Sequence, residues 1–315
     1  MAKATVAKHV NHYQSITDSI LEALNQGVKP WARPWTTRAG AELLDAGLPF
    51  NAASGRNYRG LNVPLLWSVA SSQSYSRHAW ISFKQAQALG GSVKKGERST
   101  LVFFFRFLER EEKATDGSTA QVRIPLIRAY PVFNVDQCEG ISVPLRGQPK
   151  PTQSTGALGI VGPAIDRLAL AGGVRYGGNA AFYSPGADVV QVPCVESFKS
   201  RDSFHATLLH ECGHATGHRN RLNRDFSGRF GSGAYAFEEL VAELTSAFSQ
   251  AVLGLRADVE HHASYIESWE RVLKQDRYAF VKACSLAQAA TDYLLGKPEE
   301  DEDDQADTGT LAQAA

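Results

Sequence analysis

His210, Glu211 and His214 spell HExxH inside LLHECGHATGH. Residues four apart share one face of an α-helix, so both imidazoles can reach a single tetrahedral cation. Glu211, one position past His210, then flanks the coordination position left open. Leu208 and Leu209 precede the motif and the small residues Cys212 and Gly213 lie inside it. That composition suits a helix pressed against other structure, not one surrounded by water. The chemistry predicted is hydrolysis: a zinc ion held by three side chains lowers the pKa of water to about 7. Glu211 is placed to take the proton and pass it to a leaving amine.

A third protein ligand is required, and the downstream sequence narrows the choice. The metzincin pattern HExxHxxGxxH fails here, because Gly217 fills the glycine position but Asn220 stands where the third histidine belongs. The gluzincin pattern draws a glutamate from a later helix, and YAFEELVAELTSAF supplies candidates. We assign Glu239 as ligand and Glu243, one turn on and on the same face, as the carboxylate that accepts from an imidazole and fixes its tautomer. Glu243 as the ligand is the main alternative; Glu238 points elsewhere on the helix. His218 follows Gly217, where the helix should end. The run from Asp188 to Pro193 is expected to form an edge strand beside the motif helix, where an extended peptide could pair. Tyr235 is a candidate hydroxyl for the tetrahedral intermediate.

The chain that must position these groups has 315 residues, 43% hydrophobic and 21% charged. That length suits two domains, and that composition excludes wholesale disorder and collagen-like repeats. No long apolar run marks a membrane span, and MAKATVAKHVNHYQSI lacks a secretory leader, so a cytoplasmic protein is expected. Cys138, Cys194, Cys212 and Cys284 show no CxxC pair and read as reduced thiols. The fold class read from the sequence is α+β in two domains: a mixed α/β domain over 1–143 and a zincin-like domain of small sheet plus helices over 160–296. A Pro, Gly and Ser/Thr-rich linker covers 144–159 and a disordered acidic tail 297–315. Within the first domain, Tyr13 to Leu24 has helical apolar spacing, while Ser99 to Leu108 and Val122 to Val135 read as paired strands joined by EEKATDGS. The second domain is expected to open with a helix from Ile160 and to carry strands at Ala180 to Tyr183 and Asp188 to Pro193. Helices follow from Ser203, Phe237, Asp258 and Arg277.

Net charge is zero but unevenly spread. Residues 1–143 hold 17 Lys+Arg against 11 Asp+Glu, while residues 297–315 hold one against seven. A basic first half is compatible with a polyanionic partner. There Arg56, Tyr58, Arg59, Trp80, Lys84, Lys94, Lys95 and Arg98 combine charges with flat rings, the mix that follows phosphates and stacks bases. Trp31 and Trp35, flanking a proline-rich loop, read instead as packing anchors.

Several blocks in order resemble the ArdC antirestriction proteins of conjugative plasmids: ITDSILEALNQGVKPWARPW, NAASGRNYRGLN, WISFKQAQALGGSVKKGERST and VFNVDQCEG, then LLHECGHATGH, RLNRDF, YAFEELVAEL and SYIESWERVLK. The amino-terminal blocks are also similar to a module of TraC-type primases. The resemblance implies a single-stranded-DNA-binding domain joined to a zincin-like metallopeptidase domain, acting to shield incoming plasmid DNA from host restriction. A host or restriction-related protein would be the peptidase substrate. The alternative is a single-stranded-DNA-binding protein whose zinc site is structural or vestigial and which protects by occupancy. A protease of DNA–protein crosslinks shares the parts but not the amino-terminal blocks.

Overall fold

A computed structural model describes residues 12–26, 29–31, 47–113, 119–146, 159–225, 232–255 and 266–296. Most of the linker, the acidic tail, Trp35 and the tip of the EEKATDGS turn lie outside these residues. The described residues divide into two compact units, one joining 12–31 to 159–296 and the other holding 47–146.

That division departs from the expected first domain at one point. Helix α1 (His12–Asn25) has the predicted amphipathic stripe, burying Ile16, Thr17, Ile20 and Leu24. The surface it packs on, however, belongs to the carboxy-terminal unit: Thr17 Oγ1 donates to the Arg277 carbonyl at 2.9 Å. Tyr13 meets Tyr278 edge-on at 4.7 Å. Trp31, the anticipated packing anchor, is 1% exposed and lies edge-on to Trp269 at 5.2 Å.

The unit 47–146 is built on a sheet of order β1-β2-β5-β4. β1 (Phe50–Asn51) runs parallel to β2 (Ala79–Ile81), and β2 is antiparallel to β5 (Thr119–Asn134). β4 (Thr100–Lys113) pairs with β5 in register from Thr100↔Val132 to Lys113↔Thr119, so the expected strand pair forms and extends farther than its apolar runs. β3 (Ser92–Val93) and β6 (Cys138–Glu139) make a separate two-stranded ribbon. Helix α2 (Asn62–Gln73) is tied to the sheet by Asn62, whose amide accepts from the Phe103 N–H and donates to its carbonyl. Helix α3 (Phe83–Ala88) starts at a capping box formed by Ser82 and Gln85. Leu66, Ala70, Trp80, Val102 and Val132 form the core between α2 and the sheet.

In the other unit, α4 (Gly162–Leu168) leads to a sheet of order β7-β9-β8. β7 (Gly173–Tyr176) lies parallel and β8 (Phe182–Ser184) antiparallel to β9 (Val189–Val192). β9 is therefore the central strand, correcting the edge position expected for Asp188 to Pro193. Its run of valines is buried, as a strand paired on both sides requires. Helices α5 (Arg201–Thr216), α6 (Gly233–Leu253), α7 (Ile266–Gln275) and α8 (Ala279–Leu295) complete the unit. Both long helices start earlier than predicted, because serines cap them: Ser200 Oγ accepts from the Ser203 N–H and Ser232 Oγ from the Tyr235 N–H. Val190 and Val192 of the sheet pack with Phe204, Leu208, Leu209 and Cys212 of α5. The four cysteines are free.

Candidate metal centre

Helix α5 presents HExxH to α6, which crosses it in the antiparallel sense. Ser246 Oγ donates to the Ala206 carbonyl at 2.8 Å. A Cβ on Gly213 would lie 3.3 Å from the Ala242 Cα and carbonyl oxygen. The glycine inside the motif thus lets the two backbones approach closely enough for short carboxylates on α6 to meet imidazoles on α5.

The result is a cluster of His210, His214 and Glu239 whose donor atoms all lie within 4.8 Å of one another. Glu239 Oε2 is 3.5 Å from His210 Nε2 and Glu239 Oε1 is 3.4 Å from His214 Nε2. Ligands bound at about 2.0–2.1 Å in a tetrahedron are separated by about 3.3 Å, so the imidazole–carboxylate spacing matches the edge of such a polyhedron. The opposite ring nitrogens face other carboxylates. His210 Nδ1 is 3.7 Å from Glu243 Oε2, and His214 Nδ1 is 3.2 Å from Glu238 Oε1. The Glu238 contact is within hydrogen-bond distance and can hold the His214 proton on Nδ1, leaving its Nε2 lone pair for a cation; Glu243 stands just beyond that distance on the His210 side. The donor set fits a bound metal ion.

Electrostatics in this pocket are set by four carboxylates, Glu211, Glu238, Glu239 and Glu243, against two imidazoles. Burial disfavours an imidazolium at both positions. Glu239 and Glu243 nonetheless raise His210 to about 10, and Glu238 and Glu239 raise His214 to about 9. Burial likewise opposes ionisation of Glu239, yet both histidines hold its carboxyl well below the ordinary range. Glu211 is 7% exposed beside the cluster. Among the described residues His218 is not in the cluster; it lies beyond α5, accepting from the Asn220 N–H at 3.3 Å. Tyr235 stands in the first turn of α6 and is half-buried.

Glu238 is the group that spacing misjudged, since it does not point away. Arg224 fixes it, donating from Nη2 to Oε1 at 2.7 Å and from Nε to Oε2 at 3.0 Å. The same guanidinium holds the Gly213 carbonyl at 2.7 Å and Thr216 Oγ1 at 2.8 Å. A bidentate fork of this kind orients a carboxylate in a way lysine could not. The adjacent pair Glu238–Glu239 was the available signal. A second clamp lies below the motif, where Arg221 donates to the carbonyls of Ala215 and Leu168 and is paired with Asp188. Burial opposes the Asp188 charge, but Arg221, the Ala171 N–H and the Tyr183 hydroxyl bring its carboxyl down to about 2.

The residues proposed to meet nucleic acid divide sharply. Arg59, Lys84, Lys94, Lys95 and Arg98 are exposed and Arg56 is half-buried. Tyr58 is 8% exposed and Trp80 not at all. Trp80 cannot stack a base from the centre of the core, which corrects its candidacy; strand β2 is covered on the face that carries it. Exposed rings do occur elsewhere in this unit, at Phe83 and Phe104. Phe104 touches Tyr130 edge-on at 5.3 Å and is the cross-strand neighbour of the exposed Arg128.

An HExxH helix, a crossing helix that brings the Glu239 carboxylate to it and a small mixed sheet define a zincin-like unit. Residues 164–286 match the zincin-like metallopeptidase model, and residues 10–133 match the N-terminal domain of anti-restriction factor ArdC. The chain belongs to the ArdC antirestriction family. Metal-free antirestriction ArdC from plasmid R388 superposes with a TM-score of 0.72 at 34% identity, covering 91% of this chain and 98% of that one. Its Mn(II)-bound structure gives 0.71 at 33% identity, covering 93% and 100%. Protein y4eC of Sinorhizobium fredii is 36% identical over 90% of this chain and 91% of its own length. A DNA primase TraC of Escherichia coli is 33% identical over 90% of this chain but only 20% of the primase. The likeness to TraC thus takes in both units, not the amino-terminal blocks alone. No helix among the described residues is long and apolar enough to cross a membrane.

Proposed function

We propose that this protein is a single-stranded-DNA-binding metallopeptidase that protects incoming plasmid DNA from host restriction. The peptidase reading rests on one observation above all: both Nε2 atoms face the two oxygens of Glu239, while Glu238 and Glu243 stand behind the Nδ1 atoms. A site needed only for packing gains nothing from so directed an arrangement. His210, His214 and Glu239 would hold the cation. Zinc is the metal the donor set suits, and the Mn(II) of the R388 relative makes metal analysis the first measurement. Such an ion, when bound, supplies Lewis acidity to a water molecule and a scissile carbonyl. Glu211, beside the cluster, would serve as the general base that takes a proton from the attacking water and, as general acid, returns it to the departing amine. The peptide substrate is a host or restriction-related protein held near the DNA.

DNA binding is assigned to the unit 47–146. Its exposed Arg59, Lys84, Lys95 and Arg98 can follow phosphates, and the exposed Phe83 and Phe104 replace Trp80 as the rings open to bases. Acting beside the DNA it protects places the protein in the cytoplasm.

Glu211→Gln tests the reading, because the amide keeps shape but cannot take a proton. The variant should retain metal, fold and DNA affinity and lose cleavage of candidate proteins, assayed with and without single-stranded DNA. Cleavage at the wild-type rate would refute the assigned base. If the variant still protects transferred DNA in a restricting host, protection comes from occupancy of the strand, and hydrolysis serves another task.

A further inference from the structure

The stretch 29–31 after α1 is folded into the same compact unit as the cluster on α5 and α6. Trp31 anchors it, with its ring against Trp269 at 5.2 Å and Phe280 at 5.9 Å. Two residues earlier, the Lys29 side chain is 9% exposed and Nζ lies 3.5 Å from Glu243 Oε1. The ammonium also stands 5.6 Å from the centre of the Trp269 ring. The other oxygen of Glu243 is the one 3.7 Å from His210 Nδ1. One carboxylate thus stands between a lysine of the amino-terminal segment and a histidine of HExxH.

A carboxylate orients an imidazole only if its own rotation is fixed. Arg224 does this for Glu238 from within the carboxy-terminal sequence. On the His210 side the corresponding cation comes from a residue more than 200 positions away in sequence. We infer that Lys29 is a positioning residue of the metal centre: by holding Glu243 Oε1 it directs Oε2 to His210. The amino-terminal segment is therefore a working part of the metallopeptidase unit. The inference rests on the proposed metal-ligand role of His210.

Two effects of removing Lys29 have opposite signs, which makes the test decisive. Loss of a positive charge near the site would by itself tighten cation binding, whereas loss of orientation loosens it. The experiment loads the full-length protein with Co(II) and follows both its visible absorption spectrum and its release to a chelator. For Lys29→Met, release should be about threefold to tenfold faster, with a changed ligand-field spectrum and unchanged DNA affinity. Lys29→Arg should restore both readouts, since it keeps a charged donor. In a Glu243→Gln background, Lys29→Met should add no further change, as expected for residues acting through one contact. Unchanged or slower release from Lys29→Met, with wild-type protein holding Co(II) normally, would overturn the positioning role alone. Wild-type protein that takes up no metal would overturn the metallopeptidase reading and this inference with it.

Discussion

In the unit 12–31/159–296 the polar groups of interest are buried on helix interiors and each is held by another, Glu238 by Arg224 and Glu243 by Lys29. In the unit 47–146 the basic groups of interest stand on turns and short elements facing water, and buried polar groups such as Asn62 and Asn134 serve the fold. Under the proposed function the contrast reflects two kinds of task. A cation must be met by donors fixed to a few tenths of an ångström, so each ligand needs its own support. A flexible polyanion of variable sequence is met by spread charge and by rings, where no single contact needs exact placement. Substitutions should therefore have large effects in the first unit, falling with distance from the cluster, and act by small increments in the second.

The greatest effect expected is on metal content. His214→Ala removes one of the three proposed ligands. Metal measured after gel filtration should fall from one ion per chain to nearly none, while single-stranded-DNA affinity stays at the wild-type value. Glu239→Ala should behave in the same way, and Glu243→Ala should weaken retention by about 10- to 100-fold without abolishing it. If Glu239→Ala keeps full occupancy and Glu243→Ala loses it, the ligand is Glu243 and the carboxylates exchange roles.

That ordering bears on what the sequence made legible. HExxH and the carboxylates at 239 and 243 were readable, because residues four apart on a helix share a face whatever surrounds it. Glu238 was not. A crossing helix serves two imidazoles spaced one turn apart along α5, and doing so takes a wider arc of α6 than a single stripe. The place of α1 was hidden for another reason: an apolar stripe at Ile16, Ile20 and Leu24 says that a helix packs, not on what. Its partner carbonyl lies 260 residues away. Trp80 failed as a DNA contact since a tryptophan in a short apolar strand reads alike as core or platform. Only the helix laid over the sheet by Asn62 decides between them.

A smaller effect should come from the clamp beneath the motif. Asp188 has φ of +47°, a conformation asparagine adopts readily, so Asp188→Asn tests charge with little backbone strain. Loss of the partner leaves Arg221 largely buried against two carbonyls, at a cost of about 3 kcal/mol. In the wild type the carboxyl is brought down to about 2, below an unfolded value of about 3.9. Its contribution is then complete above about pH 4 and is lost as pH falls toward 2. Hydrogen exchange should show α5 and β9 weakened by the variant at neutral pH, and less difference from wild type at the acid end. An equal weakening of β2 and β5 would mean that the two units do not unfold as separate bodies.

The smallest effects belong to the unit 47–146, and they test whether its surface works by increments. Phe104 is 41% exposed, so its truncation leaves no cavity and should leave thermal stability unchanged. If the ring stacks a base, Phe104→Ala costs about 1–3 kcal/mol of single-stranded-DNA affinity. That loss should be nearly independent of salt, because stacking displaces no counterions. Lys95→Ala should do the reverse, lowering affinity modestly and reducing the slope of log affinity against log salt by about one phosphate contact. Trp80→Ala is the control: it should lower the melting temperature, and any loss of DNA affinity should follow the fraction unfolded. A Trp80→Ala protein that stays fully folded yet loses affinity would show that β2 opens to receive a base. Equal salt slopes for Phe104→Ala and Lys95→Ala would remove the division between stacking and charge on which the contrast between the two units depends.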